Sequence, residues 1–323
     1  MSLTQSLLFM GGGVVLLVGG AEALVRGAAA LALRFGITPL VVGLTVVAFG
    51  TSSPELVVSV QAALGGNGPV ALGNVIGSNI ANLGLIVGVS AALSPLAVDK
   101  RLVTRDVPVM LLAMGLFWAF LYDGELGNVE GALLTAGIFL YTGWGIMQSR
   151  RETKKARAAS EEVPVEVADA LAAPAWRVAL NAGLVVVGLV GLVVGAGWLV
   201  DGAVAVAESL GVSQAVIGLT LVAIGTSLPE LATTIVAALR GHGEIALGGA
   251  IGSNIFNVLG VIGPAAVAAP LAAAGIGNAV LALMMGMGLL TTFFLATGRS
   301  TKRWEGAVLL AAYAGYLWWI VAG

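Results

Sequence analysis

The sequence predicts an all-α polytopic membrane protein with ten transmembrane helices. They form two inverted five-helix repeats, and helices 2 and 7 are broken at a polar motif. Three observations predict this. The chain of 323 residues is 59% hydrophobic and 10% charged, with a mean hydropathy of +1.02, the balance of a chain that spends most of its length in lipid. One segment of the first half recurs in the second at a fixed offset. Apart from Arg26, inside the first span, Lys and Arg fall on alternate loops only.

Apolar runs place the spans at 6–34, 38–65, 70–93, 104–122, 128–148, 176–208, 213–240, 245–269, 277–297 and 304–322. The first and sixth are longer than a bilayer requires and are expected to tilt. In the first, Glu22 and Arg26 are four apart and predict a structural ion pair. Leu7–Val18 could pass for the core of a signal peptide, but no positive charge precedes it and the apolar pattern runs on to Leu33, so a cleaved signal is not expected. Trp176, Trp304, Trp318, Trp319, Tyr313 and Tyr316 read as interfacial anchors.

An offset of 175 residues relates Glu55 to Glu230, Gly43 to Gly218, Ala48 to Ala223, Ser78 to Ser253 and Asn82 to Asn257. From Gly36 to Asn82 no gap is needed, and roughly 27 of 47 positions are identical, which marks a duplication. Each unit holds five spans. An odd number turns the second unit over, as in secondary transporters. The chain divides into 1–149, the first repeat; 150–175, a polar linker; and 176–323, the second repeat.

With the N-terminus outside, the inner loops hold Arg34, Lys100, Arg101, Arg105, the cluster Arg150–Arg157 with Arg177, Arg240, and Arg299, Lys302 and Arg303; the outer loops hold no Lys or Arg. The positive-inside rule then puts both termini outside and the 150–175 linker in the cytoplasm of a cell that carries the protein in its plasma membrane. The linker pairs a basic half with an acidic half containing Glu161, Glu162, Glu166 and Asp169. It reads as a solvated tether, since it lacks the ligand spacing of an EF-hand.

Composition excludes several functions. There are no cysteines, so no disulfide, thiolate metal site or cysteine nucleophile. The only histidine, His242, lies between two glycines in a loop. A net charge of −2 offers no basic face to nucleic acid. No resident cofactor and no obligatory protein partner are expected. Apart from its repeat partner, Glu55 has no second acid or base nearby, so the chain reads as a transporter and not as an enzyme.

The chemistry lies in Gly50-Thr51-Ser52-Ser53-Pro54-Glu55 and Gly225-Thr226-Ser227-Leu228-Pro229-Glu230. A carboxylate in the middle of an apolar span is costly and marks function. Pro54 lacks a backbone donor and disfavours helix before it, so the helix is expected to break across Gly50–Ser53. It restarts with Ser52 or Ser53 as cap and Pro54 at the first helical position. The break exposes carbonyls around Ala48–Thr51 beside the Ser52 hydroxyl and the Glu55 carboxylate. Ala223–Thr226, Ser227 and Glu230 repeat the arrangement. The following spans add Gly77-Ser78-Asn79-Ile80-Ala81-Asn82 and Gly252-Ser253-Asn254-Ile255-Phe256-Asn257. There Ser78 and Asn82, and Ser253 and Asn257, share one helical face. Asn79 and Asn254 lie on another face and rank second, as possible partners of broken backbone. Lone hydroxyls such as Thr45 and Ser59 read as packing.

Two carboxylates, hydroxyls, amide oxygens and carbonyls make an all-oxygen shell, which suits a hard cation, and Ca²⁺ better than Mg²⁺. Two glutamates match one divalent charge, and without cations they repel one another. A site that needs cations in both directions of travel favours exchange.

These motifs resemble the α-repeats of the cation/calcium exchanger superfamily, and within it the prokaryotic type of the sodium/calcium exchanger branch. The resemblance implies that Glu55 and Glu230 share Ca²⁺, with the carbonyls of Thr51 and Thr226. Ser52, Ser78, Ser227 and Ser253, with the carbonyls of Ala48 and Ala223, would form Na⁺ sites. Asn82 and Asn257 would line the centre, and spans one and six would slide past the other eight. Where the potassium-dependent branch typically has aspartate, this chain has Asn257, so no K⁺ requirement is expected. The leading reading is a Na⁺/Ca²⁺ antiporter. A Ca²⁺ antiporter driven by protons or serving another cation is the alternative, and a cation channel a remote one, since no loop of carbonyls suggests a filter.

Overall fold

Hydropathy alone would permit many helix packings; the computed structural model shows one, over residues 2–159, 174–210, 225–298 and 300–322. The helices are α1 (Leu3–Phe35), α2 (Pro39–Thr51), α3 (Ser53–Leu64), α4 (Gly68–Leu93), α5 (Leu102–Phe120), α6 (Asn128–Ala159), α7 (Ala175–Ser209), α8 (Leu228–Leu239), α9 (Gly243–Ala268), α10 (Asn278–Ala296) and α11 (Arg303–Ala322). Among the described residues, seven helices are long and apolar enough to cross a membrane. They become eight if α2 and α3, bent by 47° at their junction, count as one span. The protein is an all-helical, multi-pass membrane protein. The expected seventh span appears only as the 12-residue apolar helix α8, because 211–224 lie outside the described residues.

Helices α4 and α9 form the centre: 78% and 94% of their apolar windows are buried. The 33-residue α1 and 35-residue α7 lie outside them, pressed together along their length. At about 1.5 Å per residue each is roughly 50 Å long, so each must tilt in a 30 Å hydrocarbon layer. Their contact is backbone on backbone. A Cβ added at Gly13 would stand 2.7 Å from the Gly195 carbonyl oxygen, and one at Gly20 would stand 2.8 Å from that of Gly188. Small residues permit this approach.

The loops make a second set of paired contacts. Strand β1 (Glu125–Leu126) pairs antiparallel with β2 (Leu271–Ala272), a small departure from the purely helical expectation. An isolated bridge joins Ala97 to Ser300. The 175-residue offset turns one pair into the other: Ala97 maps to Ala272 and Glu125 to Ser300. It likewise exchanges the contact of Gly88 with Gly306 for that of Gly131 with Gly263.

Four expectations are corrected. Tyr313 and Tyr316 are not surface anchors. They are only 7% and 8% exposed, their rings 6.0 Å apart, and Tyr313 covers Gly84 of α4, where a missing side chain leaves room for it. Trp176, Trp304, Trp318 and Trp319 do stay exposed. The basic half of the linker is not a separate tether either. Helix α6 runs on to Ala159, because alanine, lysine and arginine are strong helix formers and nothing stops the helix at 148. The acidic half lies outside the described residues. The break in span two is confined to Ser52, and Pro54 is the second helical residue of α3, after Ser53.

The Glu22–Arg26 pair forms as expected. Arg240, at the end of α8, joins it with its Nε 2.9 Å from Glu22 Oε2, so the ion pair also ties α1 to α8.

Candidate functional site

Within α2, five residues, Gly43–Val47, wind as a π-helical turn before the chain returns to α-helix at Ala48. The helix then stops at Ser52, with φ −84° and ψ 6°. Pro54 has no N–H to return to the Gly50 carbonyl. Ser227, just before α8 in the second half, has nearly the same torsions, φ −90° and ψ 4°. Proline in the first turn restarts each helix, so Glu55 and Glu230 both fall in the first turn of their new helix. Helix N-termini favour negative charge there.

The two halves meet at these carboxylates. Ser52 donates its hydroxyl hydrogen bond to Glu230 Oε1 at 3.1 Å, although 178 residues separate them. The Thr51 hydroxyl also lies close to Glu230, and those of Thr226 and Ser78 lie close to Glu55. Both glutamates are buried, at 1% and 3% exposure. The Thr51 hydroxyl donates to the Val47 carbonyl of its own helix at 3.1 Å. The Ala48 carbonyl accepts from the Ser52 N–H at 3.0 Å and, at 3.5 Å, from the Thr51 hydroxyl. Ala223 lies outside the described residues.

Helices α4 and α9 bring the second motif. Both become π-helical at its last residue, over Asn82–Ile86 and Asn257–Ile262. Such turns are rare and concentrate at functional positions. Ser78, Asn82, Ser253 and Asn257 are all buried. Thr45 and Ser59 behave as packing residues, Thr45 bonding the Val41 carbonyl and Ser59 accepting from Asn74.

The polar atoms without partners mark a candidate site. Among the described residues, thirteen buried side-chain nitrogen or oxygen atoms lack a hydrogen bond. Nine belong to the motifs: both Glu55 oxygens, Glu230 Oε2, both polar atoms of Asn82, the hydroxyls of Ser227 and Ser253, and Oδ1 of Asn254 and Asn257. Buried oxygens without donors are costly in apolar surroundings. A cation would satisfy them, and eight of the nine are oxygen. Among the described residues no three acidic or histidine side chains cluster, so the site rests on two carboxylates and neutral oxygen.

Two residues of the site were missed or underrated. Asn74 donates to the Glu55 main-chain carbonyl at 3.3 Å and to Ser59 at 3.0 Å, which ties α4 to the restarted helix. It stands four residues before Ser78, so the helical face already identified could have revealed it. Asn79, set aside as a possible backbone partner, instead accepts from the Asn257 amide at 3.1 Å. Asn254 bonds the Ala250 carbonyl of its own helix.

Comparison with known proteins identifies the family. A family model described as "Sodium/calcium exchanger protein" matches residues 5–147 and 180–322. The chain is 38% identical over 317 residues to the putative antiporter CaxA of Alkalimonas amylolytica, covering 96% of each. It is 34% identical to the sodium/calcium exchanger MaX1 of Methanosarcina acetivorans, covering 98% of each. Among solved structures, the sodium-calcium exchanger NCX_Mj soaked with 10 mM Na⁺ and no Ca²⁺ superposes with a TM-score of 0.82 at 34% identity, over 97% of both chains. Motif, fold and relatives thus coincide: the chain belongs to the sodium/calcium exchanger family.

Proposed function

We propose that the protein is a Na⁺/Ca²⁺ antiporter working by alternating access, with its ions held between Glu55 and Glu230 near the middle of the membrane. The observation that carries this reading is the Ser52–Glu230 hydrogen bond inside a cluster of buried, unpartnered oxygens. The Ca²⁺ shell would comprise Glu55 and Glu230 with the carbonyls of Thr51 and Thr226. Ser52, Ser78, Ser227, Ser253 and the carbonyls of Ala48 and Ala223 would serve Na⁺, with Asn82 and Asn257 lining the centre. Two carboxylates in apolar surroundings repel when no cation is present, so neither ion leaves without the other replacing it. The ions are cargo, and the reading needs no cofactor and no protein partner.

The same reading includes ten spans in two inverted repeats. The contacts exchanged by the 175-residue offset support it, because a two-fold relation requires that if i meets j, the mates of i and j also meet. The loops that touch support the orientation. The Ala97–Ser300 bridge and the bond from the Thr38 N–H to the Ser149 hydroxyl join loops assigned to the cytoplasm. The β1–β2 pair joins loops assigned to the outside of the plasma membrane, the side that carries both termini.

The test is ⁴⁵Ca²⁺ uptake into Na⁺-loaded proteoliposomes diluted into Na⁺-free, K⁺-free buffer. Uptake only with an outward Na⁺ gradient is expected, and Asn257 predicts that added K⁺ changes nothing. Uptake driven by a pH gradient alone would replace Na⁺ coupling by proton coupling; single-channel currents would replace exchange altogether.

Ser52→Ala and Ser227→Ala are expected to raise the Na⁺ concentration for half-maximal exchange by about threefold to tenfold, the weight of one buried polar contact. Ca²⁺ binding should change less, because a divalent ion draws mainly on the carboxylates. Na⁺ titrations of exchange check this, and an unmoved half-saturation in both variants refutes the assignment.

A further inference from the structure

The two halves treat their asparagines differently. In the second half, Asn257 on α9 donates its Nδ2 to Asn79 Oδ1 at 3.1 Å, and its own Oδ1 is buried without a partner. Asn79 on α4 then donates its Nδ2 to the Met284 sulfur on α10 at 3.7 Å. All three residues are buried. In the first half, the residue 175 positions before Met284 is Val109, which can accept nothing. The offset-related relay would run from Asn82 to Asn254 to Val109, but Asn254 turns its Nδ2 to the Ala250 carbonyl of its own helix, and neither polar atom of Asn82 has a partner.

A side-chain amide has a donor end and an acceptor end of nearly equal shape, so packing alone does not choose between them. A thioether sulfur accepts and cannot donate. Met284 therefore requires Nδ2 of Asn79, which leaves Oδ1 of Asn79 for its neighbour. That oxygen in turn requires Nδ2 of Asn257, which leaves Oδ1 of Asn257 facing away from the relay. The direction of the whole chain is set at the sulfur.

We propose that Asn79 and Met284 are positioning residues that hold the Asn257 amide with its oxygen, and not its NH₂, toward the transported cation. The proposal rests on the antiporter reading and deepens it. A cation would be repelled by the NH₂ end, so a freely flipping Asn257 would spend part of its time as an obstacle. An aspartate at 257 has two equivalent oxygens and would need no such orientation. The relay is thus what allows a neutral residue to serve as a ligand at this position.

The experiment is a double-mutant cycle on reconstituted protein, with the Ca²⁺ concentration for half-maximal Na⁺-driven uptake as the readout. Asn79→Ala is expected to raise it about fivefold to tenfold, the size of one lost buried hydrogen bond. Met284→Leu, which keeps the volume and removes the acceptor, should raise it by about twofold to threefold. In an Asn257→Asp background, both substitutions should have almost no effect. A merely structural role predicts equal losses in both backgrounds, and that outcome overturns the proposal, as does a wild-type response of Asn79→Ala beside Asn257. If Asn79→Ala does not fold, the Met284→Leu arm decides by the same criterion. Failure of the antiporter reading is distinguishable, because wild-type protein would then show no Na⁺-driven uptake at all.

Discussion

Glu55→Gln abolishes Ca²⁺ transport and leaves the fold intact; this is the largest effect expected of any single substitution. The Thr226 and Ser78 hydroxyls close to Glu55 can still donate to an amide oxygen, so the amide forfeits little protein contact. What it removes is half of the negative charge that would face the ion. Deleting one partner of a buried charge pair costs about 3–5 kcal/mol, on the order of a hundredfold to a thousandfold in affinity. Without cations the sign reverses: relief of the repulsion between Glu55 and Glu230 should raise the unfolding temperature of the cation-free protein. Glu230→Gln should lose transport similarly, while its carbonyl can still accept from Ser52. Flux assays and cation-free thermal unfolding check both halves of the prediction. Transport near wild-type rates in either variant would remove the carboxylate pair from the mechanism.

Gly20→Val should unfold at a distinctly lower temperature and lose transport, whereas its neighbour Gly19→Val should behave like wild type. The Gly20 Cβ would stand 2.8 Å from both the Gly188 carbonyl oxygen and the Leu192 nitrogen. Both atoms are main chain of α7 and cannot swing aside. At Gly19 nothing lies within 4 Å. Overpacking costs about 1–3 kcal/mol where side chains can adjust, and here the helices themselves must part. The reciprocal Gly188→Val meets the Leu24 nitrogen at 2.6 Å and should fail in the same way. Thermal unfolding in detergent separates the two neighbours, and equal melting would mean that α1 and α7 do not depend on this approach.

Span positions were legible because a run of apolar residues carries its own evidence. The predicted 70–93 and 277–297 differ by a few residues at most from α4 and α10. The candidate residues Glu55 and Glu230 stood out in the sequence because duplication prints them twice. The π-helical turns were not. A turn over Asn82–Ile86 or Asn257–Ile262 shifts the phase of every later side chain by about 100°, and no residue type announces it. Tyr313 and Tyr316 misled for a related reason. Composition marks them as interfacial, but Tyr313 is buried against Gly84 on another helix, with the Tyr316 ring beside it.

By itself, the sequence determined that this chain crosses a membrane repeatedly, that its halves repeat one motif, and that each copy carries one glutamate directly after a proline. Those properties depend on residue order and hydropathy, which are read along the chain. Only the tertiary structure decided which hydroxyl reaches which carboxylate, that Ser52 serves Glu230 of the other half, and that Asn79 faces Asn257 with Met284 behind it. Such pairings depend on the rotation of one helix against another, and two copies of one motif leave that rotation open until they pack.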